Sequence, residues 1–130
     1  MAAVALDADV VIAFLDAADD QHERAIDQLR PRLAAGDAVL VSASVYAEVM
    51  VRPLQRGNDV EVDAFLDAID ATVVAVDRTL ARRAAQLRAR HRSLRLPDAL
   101  SLATALAADA ELLTLDHGLR RIANRERPAT

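Results

Sequence analysis

The sequence has no cysteine, no tryptophan and no lysine. The first absence excludes a disulfide scaffold, a thiolate zinc site and a cysteine nucleophile. The third excludes enzymes that depend on an invariant lysine, since all 16 basic residues are arginine. Aromatic residues are limited to Phe14, Phe65 and Tyr46, so the core must be built from aliphatic side chains. Long apolar runs are missing too. The longest stretches without charge, Ala38–Ala47 and Ala99–Ala108, fall far short of a membrane span. No charged-then-apolar leader precedes Asp7. What is present is 53% hydrophobic residues in 130, too many for a disordered chain. One cytoplasmic domain over residues 1–130 is expected, with a polar tail from Arg125 to Thr130 that frays.

Net charge is −4, so the chain as a whole does not attract nucleic acid. The charge is uneven, however. Between Arg78 and Pro97 lie seven arginines, one histidine and no acid. A polyanion would meet that stretch rather than the average surface, and its salt dependence would distinguish phosphate contacts from a merely solvated helix face.

Short apolar runs alternate with helical patterns, the signature of an α/β domain with a parallel sheet. Strands are expected at Val4–Leu6, Val39–Val41, Thr72–Val76 and Leu112–Leu115. Between them, Val10–Leu15 reads as a helix apolar on every side, and Asp19–Ala35 as a helix that Pro31 kinks or divides. Ser42 or Ser44 caps a helix running to about Gln55; Asn58 or Asp59 starts another. Asp77 or Thr79 caps the arginine-rich helix, and Pro97 sits at the start of the next. Gly118–Ile122 is expected to be a short turn or helix.

In open parallel sheets, sites form beyond the carboxyl ends of the strands. Four carboxylates fall there: Asp7 after strand one, Glu48 on the helix after strand two, Asp98 in the turn after Pro97, and Asp116 after strand four. At ~5 Å and an effective dielectric of ~20, each pair repels by roughly 3 kcal/mol. Either some are protonated or a divalent cation sits among them, and oxygen-only ligands select Mg²⁺ or Mn²⁺. Each acid also has a plainer reading. Asp7, Asp98 and Asp116 suit helix caps or first turns, and Glu48 is spaced to pair with Arg52.

Four blocks resemble the PIN-domain family, and within it the VapC toxins of toxin–antitoxin pairs: Val4-Ala-Leu-Asp7-Ala-Asp9-Val-Val-Ile, Ser42-Ala-Ser-Val-Tyr-Ala-Glu48-Val, Leu96-Pro97-Asp98-Ala-Leu, and Leu112-Leu-Thr114-Leu-Asp116. They occur in order and span nearly the whole chain. The resemblance implies a three-layer α/β/α domain around a parallel sheet of four or five strands. It also implies an Mg²⁺- or Mn²⁺-dependent endoribonuclease, with Asp7, Glu48, Asp98 and Asp116 as the metal-binding and catalytic quartet. Thr114 would orient the Asp116 carboxylate. Asp9 departs from the usual serine, threonine or asparagine; it is either a fifth acid near the metals or the cap of the first helix, and the cap is the favoured reading. The implied partners are an RNA substrate and a VapB-type antitoxin, in a homodimer or a toxin–antitoxin hetero-oligomer.

Two other readings compete. The Asp7-x-Asp9-x-Val opening also fits haloacid-dehalogenase-like phosphatases, but that class relies on a lysine this chain lacks. A catalytically silent member of the PIN fold that only binds RNA or a partner is the other, and metal-dependent cleavage would separate it from a nuclease.

Overall fold

The computed structural model describes residues 2–127. Four strands, β1 (Ala3–Leu6), β2 (Ala38–Ser42), β3 (Thr72–Val74) and β4 (Glu111–Leu113), form one parallel sheet in the order β3-β2-β1-β4. Seven helices accompany them among the described residues: α1 (Ala8–Leu15), α2 (His22–Ala34), α3 (Ala43–Arg56), α4 (Asp59–Ala68), α5 (Arg78–Arg90), α6 (Leu96–Ala107) and α7 (His117–Glu126).

Side-chain alternation along the strands makes the layers. Val4, Leu6, Val39, Val41 and Leu113 face one side and pack with α1, α2, α3 and α4. Ala5, Leu40 and Leu112 face the other and pack with α5, α6 and α7. The small Ala5 meets the alanine-rich α6, where Ala99, Ala103 and Ala105 are buried. Both sheet faces are therefore covered, as a parallel sheet requires. Phe14 and Phe65 stack with ring centroids 5.3 Å apart, joining α1 to α4.

The expected caps are specific in the structure. The Ser42 hydroxyl accepts the Ser44 N–H at 3.1 Å, and the Asp77 carboxylate accepts the Leu80 N–H at 2.9 Å. Pro97 stands in the first turn of α6. Gly57 ends α3 at φ +79°, a left-handed conformation that favours glycine.

Four expectations need correction. Pro31 does not divide α2. The helix continues to Ala34, because Leu29 is fully buried before it and Leu33 packs on the core after it. β3 and β4 are shorter than expected, ending at Val74 and Leu113. The short turn or helix expected at Gly118–Ile122 is a longer, ten-residue helix, α7, whose narrow buried stripe of Leu119 and Ala123 is a weak sequence signal. Helix α7 also absorbs Arg125 and Glu126, so the expected fraying does not begin at Arg125; residues 128–130 lie outside those described. Among the described residues, no helix is long and apolar enough to cross a membrane.

Candidate active site

Strand order reverses between β1 and β4, and the crevice at their carboxyl ends is where an open sheet places its site. Asp7 leaves β1 there and is buried, with only 7% of its surface exposed. Its Oδ1 accepts the Ala8 N–H at 3.0 Å, so Asp7 itself caps α1. The same oxygen accepts the Ser101 hydroxyl at 3.3 Å, and Oδ2 accepts the Thr114 hydroxyl at 2.9 Å.

Asp9 therefore does not cap the helix as expected. It sits in the first turn of α1 and straps the end of β4: its Oδ2 accepts the Leu115 N–H at 3.1 Å and lies 3.3 Å from the Thr114 hydroxyl. Its other oxygen, Oδ1, is buried and has no hydrogen-bond partner among the described residues. Thr114 also acts differently from expectation. Its hydroxyl serves Asp7 and Asp9, and it reaches Asp116 through the backbone, accepting the Asp116 N–H at 3.1 Å.

Asp116 caps α7: its Oδ1 accepts the N–H groups of Gly118 at 2.8 Å and Leu119 at 3.1 Å. Here the cap and the site coincide, since the side chain stays exposed at the crevice mouth. Asp98 lies in the first turn of α6, largely covered, with Arg95 Nε 3.4 Å from its Oδ2. Glu48 is not gathered with these acids. It begins from the same sheet edge, on α3 after β2, but is exposed and opens onto a neighbouring groove with Val11, Ile12, Leu15 and Arg52. Among the described residues it makes no ion pair with Arg52 within 4.0 Å. The sequence reading missed Ser101, whose signal was its place one helical turn beyond Asp98 on the face toward β1.

The electrostatics follow from this packing. Burial pushes the Asp7 carboxyl up to about 6; the nearby charge of Asp9 adds to the rise, the Thr114 hydroxyl opposes it, and Asp98 adds a smaller push. Burial also raises Asp9, against the Leu115 and Val10 N–H groups and Thr114, with Asp116 adding repulsion. These influences connect Asp7, Asp9, Asp98 and Asp116 electrostatically across the β1–β4 crevice.

The donor set suits a hard divalent cation. It consists of oxygen atoms only, holds a carboxylate kept costly by burial and repulsion, and includes the unpartnered Asp9 Oδ1. No three of its His, Cys, Asp or Glu residues are clustered for all-protein coordination among the described residues.

Fold and crevice together define an open-sheet α/β protein with a carboxylate centre at its topological switch point. The family model described as PIN domain matches residues 4–125, and the chain belongs to the PIN-domain family. Several solved structures share the fold. A toxin–antitoxin complex from Klebsiella pneumoniae matches with a TM-score of 0.70 and 24% identity, over 88% of this chain and 87% of that one. The Mycobacterium tuberculosis sarcin–ricin loop cleaving toxin VapC20 matches with a TM-score of 0.72 and 21% identity, over 92% and 94%. VapBC2 from Rickettsia felis, bound to a DNA fragment from its promoter, matches with a TM-score of 0.71 and 19% identity, over 93% of each chain. No curated protein matches this chain in sequence.

Proposed function

We propose that this protein is a divalent-metal-dependent endoribonuclease, the toxin of a toxin–antitoxin pair. The observation that carries the reading is the buried Asp7, held by Thr114 and Ser101 at the switch point and electrostatically coupled to Asp9 and Asp98. Keeping a carboxylate in so unfavourable a place costs stability, and such costs concentrate at functional sites. The Mycobacterium tuberculosis relative in fold is a cleaving toxin, and the Klebsiella structure is a toxin–antitoxin complex.

Asp7 and Asp98 would hold the principal Mg²⁺ or Mn²⁺. Asp116 and Glu48 complete the acidic set, Glu48 from its more exposed position. A cation held there would supply a lowered pKa for its bound water and charge neutralisation at the leaving oxygen of a phosphodiester. The chain's own contribution is positional. Thr114 and Ser101 fix the Asp7 oxygens, and the α7 cap fixes one oxygen of Asp116 while leaving the other for water or substrate. In-line attack would leave a 5′-phosphate and a 3′-hydroxyl.

The partner surface of this reading is the groove of about 580 Å³ between α1, α3 and α4. Ile12 and Leu15, in the apolar Val10–Leu15 part of α1, are 39% and 41% exposed there, beside Val51 at 54%. Its occupant is taken to be a helix of the antitoxin, laying an apolar face on these residues.

The test is cleavage of RNA with Mg²⁺ or Mn²⁺, with chelator, and with Asp98→Asn and Glu48→Gln in parallel. Cleavage should require metal and fall at least 100-fold in Asp98→Asn. Equal cleavage by Asp98→Asn and the unmodified protein, from clean preparations, would refute the assignment. RNA binding without metal-dependent cleavage would favour a silent binding module.

A further inference from the structure

An acidic crevice repels the phosphates it must receive, so a nuclease with net charge −4 needs local cations along the path of its substrate. The sequence concentrates arginine between Arg78 and Arg95, but the structure engages several of these residues. Arg88 donates to the Leu94 carbonyl at 2.8 Å, Arg90 pairs with Glu126 at 2.6 Å, and Arg95 leans on Asp98. Arg82 and Arg83 line a different depression, with Thr79, Gln86 and Glu126.

A groove of about 360 Å³ adjoins the acids instead. Asp98 and Asp116 line it together with Ser93, His91 and two residues of α7, Arg121 and Arg125. These arginines stand four residues apart, and therefore on one helix face. Both are exposed, and neither has a carboxylate within 4.0 Å among the described residues. Arg121 reaches back toward the crevice. A methyl placed on Gly118 would lie 3.2 Å from Asp116 Oδ1 and 4.0 Å from Arg121 Nη2. Gly118 thus lies close to both the Asp116 carboxylate and the Arg121 guanidinium.

We infer that this groove holds the RNA backbone to one side of the cleaved bond, with Arg121 and Arg125 binding its phosphates. The inference rests on the nuclease reading and adds the route by which substrate reaches the acids. Two planar guanidinium forks can each grip two phosphate oxygens, and Ser93 adds a hydroxyl. No aromatic side chain lines the groove, so the hold is on the backbone and not by base stacking. The ligand is accordingly an RNA backbone held by charge and not by base identity.

The experiment measures binding of an RNA oligonucleotide to the chelator-treated protein across a salt series, and steady-state cleavage with Mg²⁺. Its arms are the unmodified chain, the Arg121→Ala/Arg125→Ala double variant, the matching Arg→Lys double variant, and Arg82→Ala/Arg83→Ala for the competing surface. The alanine double variant on α7 should raise Kd and KM at least tenfold and change kcat less than threefold. Its salt slope should be shallower by about 1.4, the value for two contacts to a single strand. The lysine variant should recover part of the affinity, because charge is retained while the fork is lost. Unchanged KM and salt slope in the α7 variant, or a larger loss in the Arg82/Arg83 arm, would overturn the inference while leaving the nuclease reading in place. RNA binding lost through α7 without any metal-dependent cleavage would support the groove and overturn the nuclease.

Discussion

Asp7→Asn is expected to raise the melting temperature of the metal-free protein at pH 7 while removing RNA cleavage. Burial and neighbouring acids lift the Asp7 carboxyl from 3.8 to about 6, so its ionised form opposes folding. At 1.36 kcal/mol per unit, the opposition is on the order of 3 kcal/mol. Asparagine keeps the α1 cap but receives Thr114 less well, which returns about 1 kcal/mol. The net gain is about 2 kcal/mol, or about 5–10 °C. The sign with pH follows from a raised acid. Its contribution to stability is fully present below 3.8 and is lost as pH rises through about 6. The unmodified protein should therefore lose stability between about pH 4 and 6, and Asp7→Asn should lose less, with Asp9 supplying a residual slope in the same direction. Thermal unfolding in chelator from pH 4 to 8 reads this directly. Added Mg²⁺ at one hundred times Kd should then stabilise the protein that binds it by about 2.7 kcal/mol, enough to put the parent ahead of Asp7→Asn by roughly 0.7 kcal/mol. An Asp7→Asn variant clearly less stable than the parent at pH 7 in chelator would show that the carboxylate serves the fold rather than the site.

The second large effect is expected at Thr114. Its side chain is fully buried, and one hydroxyl supports three groups: it donates toward Asp7 and Asp9 and accepts the Asp116 N–H. Thr114→Val keeps the shape and removes all of this. The Asp116 N–H is left without its acceptor, and Asp7 and Asp9 each lose one of their donors, at a cost of about 2–3 kcal/mol in the unfolding free energy. The Asp7 carboxyl, which Thr114 now holds down, should move further above 6. Cleavage should fall about 10–100-fold at pH 7, and the rising acid limb of kcat/KM should shift to higher pH. Thr114→Ser retains the hydroxyl and should keep the parental limb. Parental stability together with an unmoved pH profile in Thr114→Val would remove this residue from the site.

Thr114 also marks the boundary between what was readable from the chain and what was not. Its hydroxyl was visible two residues before Asp116, and the natural reading tied it to that carboxylate. The structure gives it to Asp7, 107 positions earlier in the chain, because β4 pairs with β1 and the residue after each strand points into the same crevice. Asp9 is a similar case. Sequence spacing suggested a cap, but the cap position belongs to Asp7, and Asp9 reaches the backbone of Leu115. Helix α7 was underestimated because a stripe of leucine and alanine among arginines resembles a turn until Asp116 caps it and the core receives Leu119. Arg121 and Arg125 were passed over for the same reason, since their alignment exists only if that helix forms.

By itself the sequence determined the α/β class, the strand and helix order, most of the caps, and the acids that lie at strand exits. These are local properties: periodicity, capping chemistry and the preference of apolar residues for the interior. Tertiary structure decided which of those acids meet. It brought Asp7, Asp9, Asp98 and Asp116 within electrostatic reach of their neighbours along the β1–β4 crevice, and it set Glu48 on another groove. It also decided which arginines remain without carboxylate partners beside that crevice. Proximity between distant segments depends on strand pairing and helix packing, and desolvation exists only once a group has been enclosed.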